Sequence, residues 1–110
     1  KLAGKLDGMA IRVPTPDVSV VELVVNLEKD ATVEGVNAAM KAAASRTFGY
    51  NDKPLVSIDF TGDAHSSIFD ASQTKVLGDR LVHVTAWYDN EWGFSNRMGD
   101  TAVAMGKLIK

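Results

Sequence analysis

Two alternating apolar runs meet at Gly78-Asp79, and that junction constrains the fold more than any other part of the sequence. Glycine takes φ > 0 readily at the first central position of a two-residue hairpin. Gln73 to Leu77 and Arg80 to Tyr88 therefore read as an antiparallel pair. In the second run Val82, Val84, Ala86 and Tyr88 face one way, and Leu81, His83, Thr85 and Trp87 the other.

Other elements follow from the same logic. Met9, Ile11 and Val13 share one face of a short strand that Pro14-Thr15-Pro16 stops. Val18 to Glu28 is β-branched and reads as the longest strand. Its face of Ser19, Val21, Leu23, Val25 and Leu27 is mostly apolar, and its other face is mixed. One of the two is expected to be core, and the mixed face is either solvated or meets another subunit. Asp30 or Thr32 caps a helix with Val33, Val36 and Met40 at helical spacing, ending near Ala44 or Ser45. Gly35 stands where a capping box would have Glu or Gln.

Gly49 to Pro54 reads as a loop, Leu55 to Phe60 as an alternating strand, and Thr61-Gly62-Asp63 as a turn. Ser66 to Ala71 is a further short strand. Asp89-Asn90 sits where a helix cap belongs, before a helix from about Trp92 to Leu108. Ser95, Met98, Ala102, Met105 and Leu108 form a stripe along it, and Gly93, Gly99 and Gly106 lie near one face. The expected class is α+β: a mainly antiparallel sheet with helices on one face, ending in a long C-terminal helix. No strand leads through a glycine-rich phosphate loop into a helix, so no dinucleotide-binding half is expected in this chain.

Composition narrows function. The 110 residues suit one domain. There is no cysteine, which rules out a disulfide scaffold, a thiolate metal site and a thiol nucleophile within this sequence. The 12 basic and 14 acidic residues leave a formal charge of −2, unlike a nucleic-acid or membrane-surface module. No apolar stretch of about 18 residues offers a membrane span. Lys1-Leu2-Ala3-Gly4-Lys5 carries neither an initiator methionine nor an apolar signal region, so the chain reads as processed or as part of something longer.

The residues assemble no complete catalytic set. His65, beside Ser66 and Ser67, reads as a loop histidine and His83 as a strand-face one. Glu22 with Glu28, and Asp59 with Asp63, read as solvated carboxylates rather than an acid–base pair. Arg12 is either a fork for a phosphate or carboxylate or a surface ion-pair arginine. Trp87 to Arg97 is either a capped helix start with core aromatics or an amide-recognition corner, since an asparagine there both donates and accepts.

That segment, WYDNEWGFSNR, closely resembles the C-terminal signature of phosphorylating glyceraldehyde-3-phosphate dehydrogenases. Gly8 to Val21, GMAIRVPTPDVSVV, is similar to a second signature of the family, and LEKDATVEGVNAAMKAAA and PLVSIDF fall between them in the family's order. The resemblance covers essentially the whole chain and matches the last third of such enzymes. It implies that residues 1–89 belong to the catalytic domain and that 90–110 form a helix packing on an NAD-binding domain outside this sequence.

By the same resemblance, Arg12 binds phosphate groups of glyceraldehyde 3-phosphate and inorganic phosphate. Asn90 hydrogen-bonds the nicotinamide carboxamide of NAD, Phe94 packs beside the ring where many members have tyrosine, and Tyr88 flanks the active site. NADP stays open as an alternative cofactor.

In the family a cysteine thiolate attacks the aldehyde with a histidine as base, hydride passes to NAD, and phosphate releases the acyl group. Neither the cysteine nor that histidine has a counterpart here, so the chain alone is expected to be inactive. The resemblance also implies a cytoplasmic homotetramer as the parent and self-association of the isolated chain. An erythrose-4-phosphate dehydrogenase shares both motifs, and a non-catalytic assembly module is the reading from a different class. The Ala44-to-Gly49 connection is shorter than is common in the family.

Overall fold

The structure, a computed structural model, describes residues 2–109. Its order is β1 (Ser19–Asn26), α1 (Val33–Ala42), β2 (Phe48–Asn51), a 3-10 turn (Ser57–Phe60), β3 (Ser67–Leu77), β4 (Leu81–Tyr88) and α2 (Trp92–Gly106). The strands form one sheet in the order β1-β4-β3-β2. The β1/β4 and β3/β4 pairs are antiparallel and β2/β3 is parallel. The α+β class with a terminal helix is thus as expected.

The hairpin forms, with Gly78 at φ 56°, but three residues, Gly78-Asp79-Arg80, connect its strands where two were expected, and Arg80 belongs to the turn. It pairs Leu77 with Leu81 and Val76 with Val82. The two short strands expected before it are one strand, β3, whose register shifts between Asp70 and Lys75. Alternation along β3 and β4 then divides the core. On one face Phe69, Val82 and Val84 are buried with Val25, Val36, Met40 and Phe48 packed against them, so α1 covers that face. On the other, Val18, Phe60 and Ile68 are buried with Leu55 and Trp87, beneath the 3-10 turn. The Phe60 and Trp87 rings stack there at 5.7 Å.

Several expectations are corrected. Met9 to Val13 forms no strand; the segment is irregular and Met9 is 90% exposed. A strand is stable only in a ladder, and among the described residues none pairs with it. The apolar face of β1 joins the core only at its far end, where Val25 packs on it, while Val21 and Leu23 on that face and Val20 and Val24 on the other are exposed. The reason is position, because β1 is an edge strand and α1 reaches only as far as Val25 and Leu27.

The loop expected over Gly49 to Pro54 begins instead as β2, with Gly49 and Asn51 buried. The strand expected over Leu55 to Phe60 is a 3-10 turn in which only Phe60 is buried. A local bond favours the turn, the Val56 N–H donating to Asp59 Oδ2 at 2.8 Å. Helix α1 is capped by Thr32, whose Oγ1 accepts from the Gly35 N–H at 3.1 Å, and it ends at Ala42, two residues short of the expected limit.

Candidate active-site corner

The chain turns from β4 into α2 at Asp89, a 3% exposed carboxylate. Its Oδ1 accepts from the N–H groups of Glu91 (2.9 Å) and Trp92 (2.7 Å), which the first helical turn leaves without intrahelical partners. Its Oδ2 accepts from the Gly62 N–H at 2.8 Å, tying in the turn that follows the 3-10 segment. The N–H groups of Trp92, then Gly62, then Glu91 hold the Asp89 carboxyl below its ordinary value of 3.8, against an opposing effect of burial. Asp89 therefore stays an anion and serves the corner as its cap.

Gly93 closes the same corner. A Cβ there would lie 2.9 Å from the His65 carbonyl oxygen, so only glycine lets α2 approach the 62–66 loop this closely. Gly99 and Gly106 face open space and are simply tolerated. Further along α2, Arg97 Nη1 donates to Ser66 Oγ at 3.3 Å and Arg97 Nε lies 2.8 Å from Asp100 Oδ2. Asp100 Oδ1 also accepts from Arg46 Nη1 at 2.8 Å. Arg46 first, and then Arg97, depresses the Asp100 carboxyl below 3.8.

The corner brings three of the four candidate residues into one neighbourhood. Tyr88, half-buried, ends β4. Asn90 follows Asp89, exposed, and its Oδ1 accepts from Ser19 Oγ at 3.1 Å. Phe94 lies four residues, about one helical turn, beyond Asn90 and is 66% exposed. Arg12 does not join them. It lies on the exposed N-terminal segment, and among the described residues its guanidinium makes no hydrogen bond or ion pair.

The two tryptophans separate. Trp87 is a core side chain, donating from Nε1 to Asp70 Oδ2 at 3.0 Å, while Trp92 is exposed. Asp70 is buried and its Oδ1 accepts from Ser72 Oγ at 2.6 Å. His65 Nδ1 lies 2.6 Å from Asp63 Oδ1, a carboxylate that the sequence pattern did not connect to it. Among the described residues no group of three or more His, Asp and Glu side chains is arranged to hold a metal ion.

Sequence reasoning placed Ser19 on a strand face and missed its reach to Asn90. It saw Asp89 as a cap position but not its bond to Gly62. The Asp89 signal was local and readable; the partners in both cases are distant in sequence.

The fold and this corner define an α+β sheet domain that presents an amide and an aromatic ring at a capped strand-to-helix junction. A family model described as glyceraldehyde 3-phosphate dehydrogenase, C-terminal domain, matches residues 1–90. The glyceraldehyde-3-phosphate dehydrogenase of Cereibacter sphaeroides is 58% identical over 99% of this chain and 34% of its own length. That of Zymomonas mobilis is 54% identical over 99% of the chain and 34% of its own length. A cytosolic one from Pinus sylvestris is 53% identical over 94% of the chain and 32% of its own length. The chain belongs to the glyceraldehyde-3-phosphate dehydrogenase family, and it spans about a third of these relatives' length.

Proposed function

We propose that the chain is the C-terminal portion of a phosphorylating, NAD-dependent glyceraldehyde-3-phosphate dehydrogenase, supplying its nicotinamide-facing amide and one of its phosphate-binding arginines. The observation that carries this reading is the corner itself. Asn90 is exposed with its side-chain oxygen engaged by Ser19, and the open Phe94 ring stands one turn away, within the segment that matches the family signature.

These residues fit the carboxamide end of a nicotinamide cofactor. An amide with a free N–H group pairs with a carbonyl oxygen, and a flat apolar ring packs beside a heteroaromatic one. NAD, when bound, supplies the hydride acceptor. Asn90 orients the carboxamide, Phe94 shields the ring from water, and Tyr88 shapes the wall beside them. Arg12 binds a phosphate group, its fork matching phosphate oxygens. The exposed position of Arg12 accords with a site completed by the other domain of the full-length enzyme. Nucleophile and base come from outside this sequence, so the chain alone binds no aldehyde covalently and reduces no NAD.

The parent is a cytoplasmic homotetramer in this reading, and the cytosolic relative supports that location. The experiment is a chimera in which this chain replaces the matched third of the Cereibacter sphaeroides enzyme. It should oxidise glyceraldehyde 3-phosphate with NAD and phosphate. Asn90→Ala should raise the KM for NAD and Arg12→Ala the KM for phosphate. A folded chimera with unaltered cofactor affinity after Asn90→Ala would sink the assignment.

A further inference from the structure

We propose that Ser19 is a positioning residue for Asn90: its hydroxyl donates to the Asn90 side-chain oxygen and so fixes which end of that amide meets a bound carboxamide. The inference rests on the reading of Asn90 as the cofactor-facing amide.

Asn90 is exposed, and among the described residues its side chain makes no hydrogen bond other than the one from Ser19. A primary amide has a donor end and an acceptor end of nearly equal shape. A ligand carboxamide has the same two ends, so an unfixed asparagine accepts the ligand in either of two orientations. A donor already engaged on Oδ1 breaks the symmetry. With Ser19 Oγ 3.1 Å away on that oxygen, the Nδ2 hydrogens face outward and select a carbonyl oxygen from the ligand.

The backbone delivers Ser19 to this place by an unusual route. Ser19 lies opposite Tyr88 in the β1/β4 ladder, which brings its hydroxyl beside the residue that follows Asp89. Immediately before it, Val18 has φ 67°, a left-handed conformation that a β-branched residue rarely adopts. Val18 is held there by burial against Phe60 and Ile68, and by its N–H donating to Asp17 Oδ1 at 2.7 Å. Strain of this kind persists only where the surroundings impose it, and it concentrates at functional sites. Here the turn re-aims the chain between the Arg12-bearing segment and β1, so that the first strand residue points its hydroxyl at Asn90. A simple surface hydroxyl needs no such backbone.

Two measurements test the role. In the 110-residue chain, kept dilute, the Asn90 side-chain NH2 resonances report the bond directly. Ser19→Ala should shift them and increase their fast mobility, and Ser19→Thr should leave them close to native. In the chimera, Ser19→Ala should weaken NAD binding by fluorescence titration, and raise its KM, about three- to tenfold, as loss of one neutral hydrogen bond would. The effect on kcat should be smaller, the thermal midpoint should stay unchanged, and Ser19→Thr should restore affinity. Unchanged Asn90 resonances in Ser19→Ala overturn the proposal, as does unchanged affinity in a chimera whose Asn90→Ala variant is impaired. A chimera indifferent to Asn90→Ala overturns instead the cofactor reading beneath it.

Discussion

At the scale of single residues, the corner depends on a cap and a missing side chain. Gly93→Ala would press a methyl group to within 2.9 Å of a backbone oxygen that cannot move alone. We expect a loss of about 1–3 kcal/mol of stability, the usual cost of overpacking, read from denaturant unfolding. Gly99→Ala, into open space inside a helix, should instead stabilise by up to about 1 kcal/mol. Asp89 makes the corner sensitive to acid. Its folded-state pKa lies below 3.8, so the unfolded state binds more protons as pH falls through that range. The stability it contributes is therefore complete above about pH 4–5 and lost as pH drops through the depressed value. Asp100 adds in the same direction. Unfolding curves from pH 6 to pH 2 should show this decline, and Asp89→Asn should be less stable at pH 6 but flatter across the range. A decline of equal slope in Asp89→Asn would contradict the role given to the carboxylate.

At the scale of elements, what could be read in advance depended on how far apart the partners lie. The hairpin around Gly78-Asp79, α1 and the start of α2 each rest on contacts within a few residues, and each forms, the hairpin with Arg80 added to its turn. Thr32→Ala removes the oxygen that accepts from Gly35 and should cost about 1 kcal/mol, checked by thermal unfolding. The misread elements are those decided by distant partners. Met9 to Val13 has strand alternation but no neighbour among the described residues to pair with. Leu55 to Phe60 also alternates, yet the Asp59 bond to Val56 and burial of Phe60 alone turn it into a 3-10 segment. β2 is short and carries a glycine, and only its parallel alignment with β3 makes it a strand. The candidate site divides in the same way. Tyr88, Asn90 and Phe94 were legible as one contiguous motif, whereas Ser19, Gly62 and the strained Val18 enter through the tertiary fold.

At the scale of the whole molecule, the chain is a domain with much of its apolar surface uncovered. β1 is an open edge whose Val24 is 61% exposed, and Met98 and Met105 on α2, with Leu108 just beyond its end, stand in solvent. The relatives are about three times as long, the chain matching 34% of the Cereibacter sphaeroides enzyme. Exposed faces of this kind associate. Light scattering on the isolated chain should show species larger than a monomer, growing with concentration. Val24→Lys, charging the open edge, should reduce them without changing the fold seen by circular dichroism. A monodisperse wild-type monomer at high concentration would count against this.

The most direct measurement is NAD-dependent oxidation of glyceraldehyde 3-phosphate by the chimera carrying this chain, compared with its Asn90→Ala variant and with the chain alone. We expect activity in the chimera, a marked loss of cofactor affinity on removing the Asn90 amide, and none in the isolated chain. NAD reduction by the isolated chain, or a folded chimera whose use of NAD ignores Asn90, would contradict it.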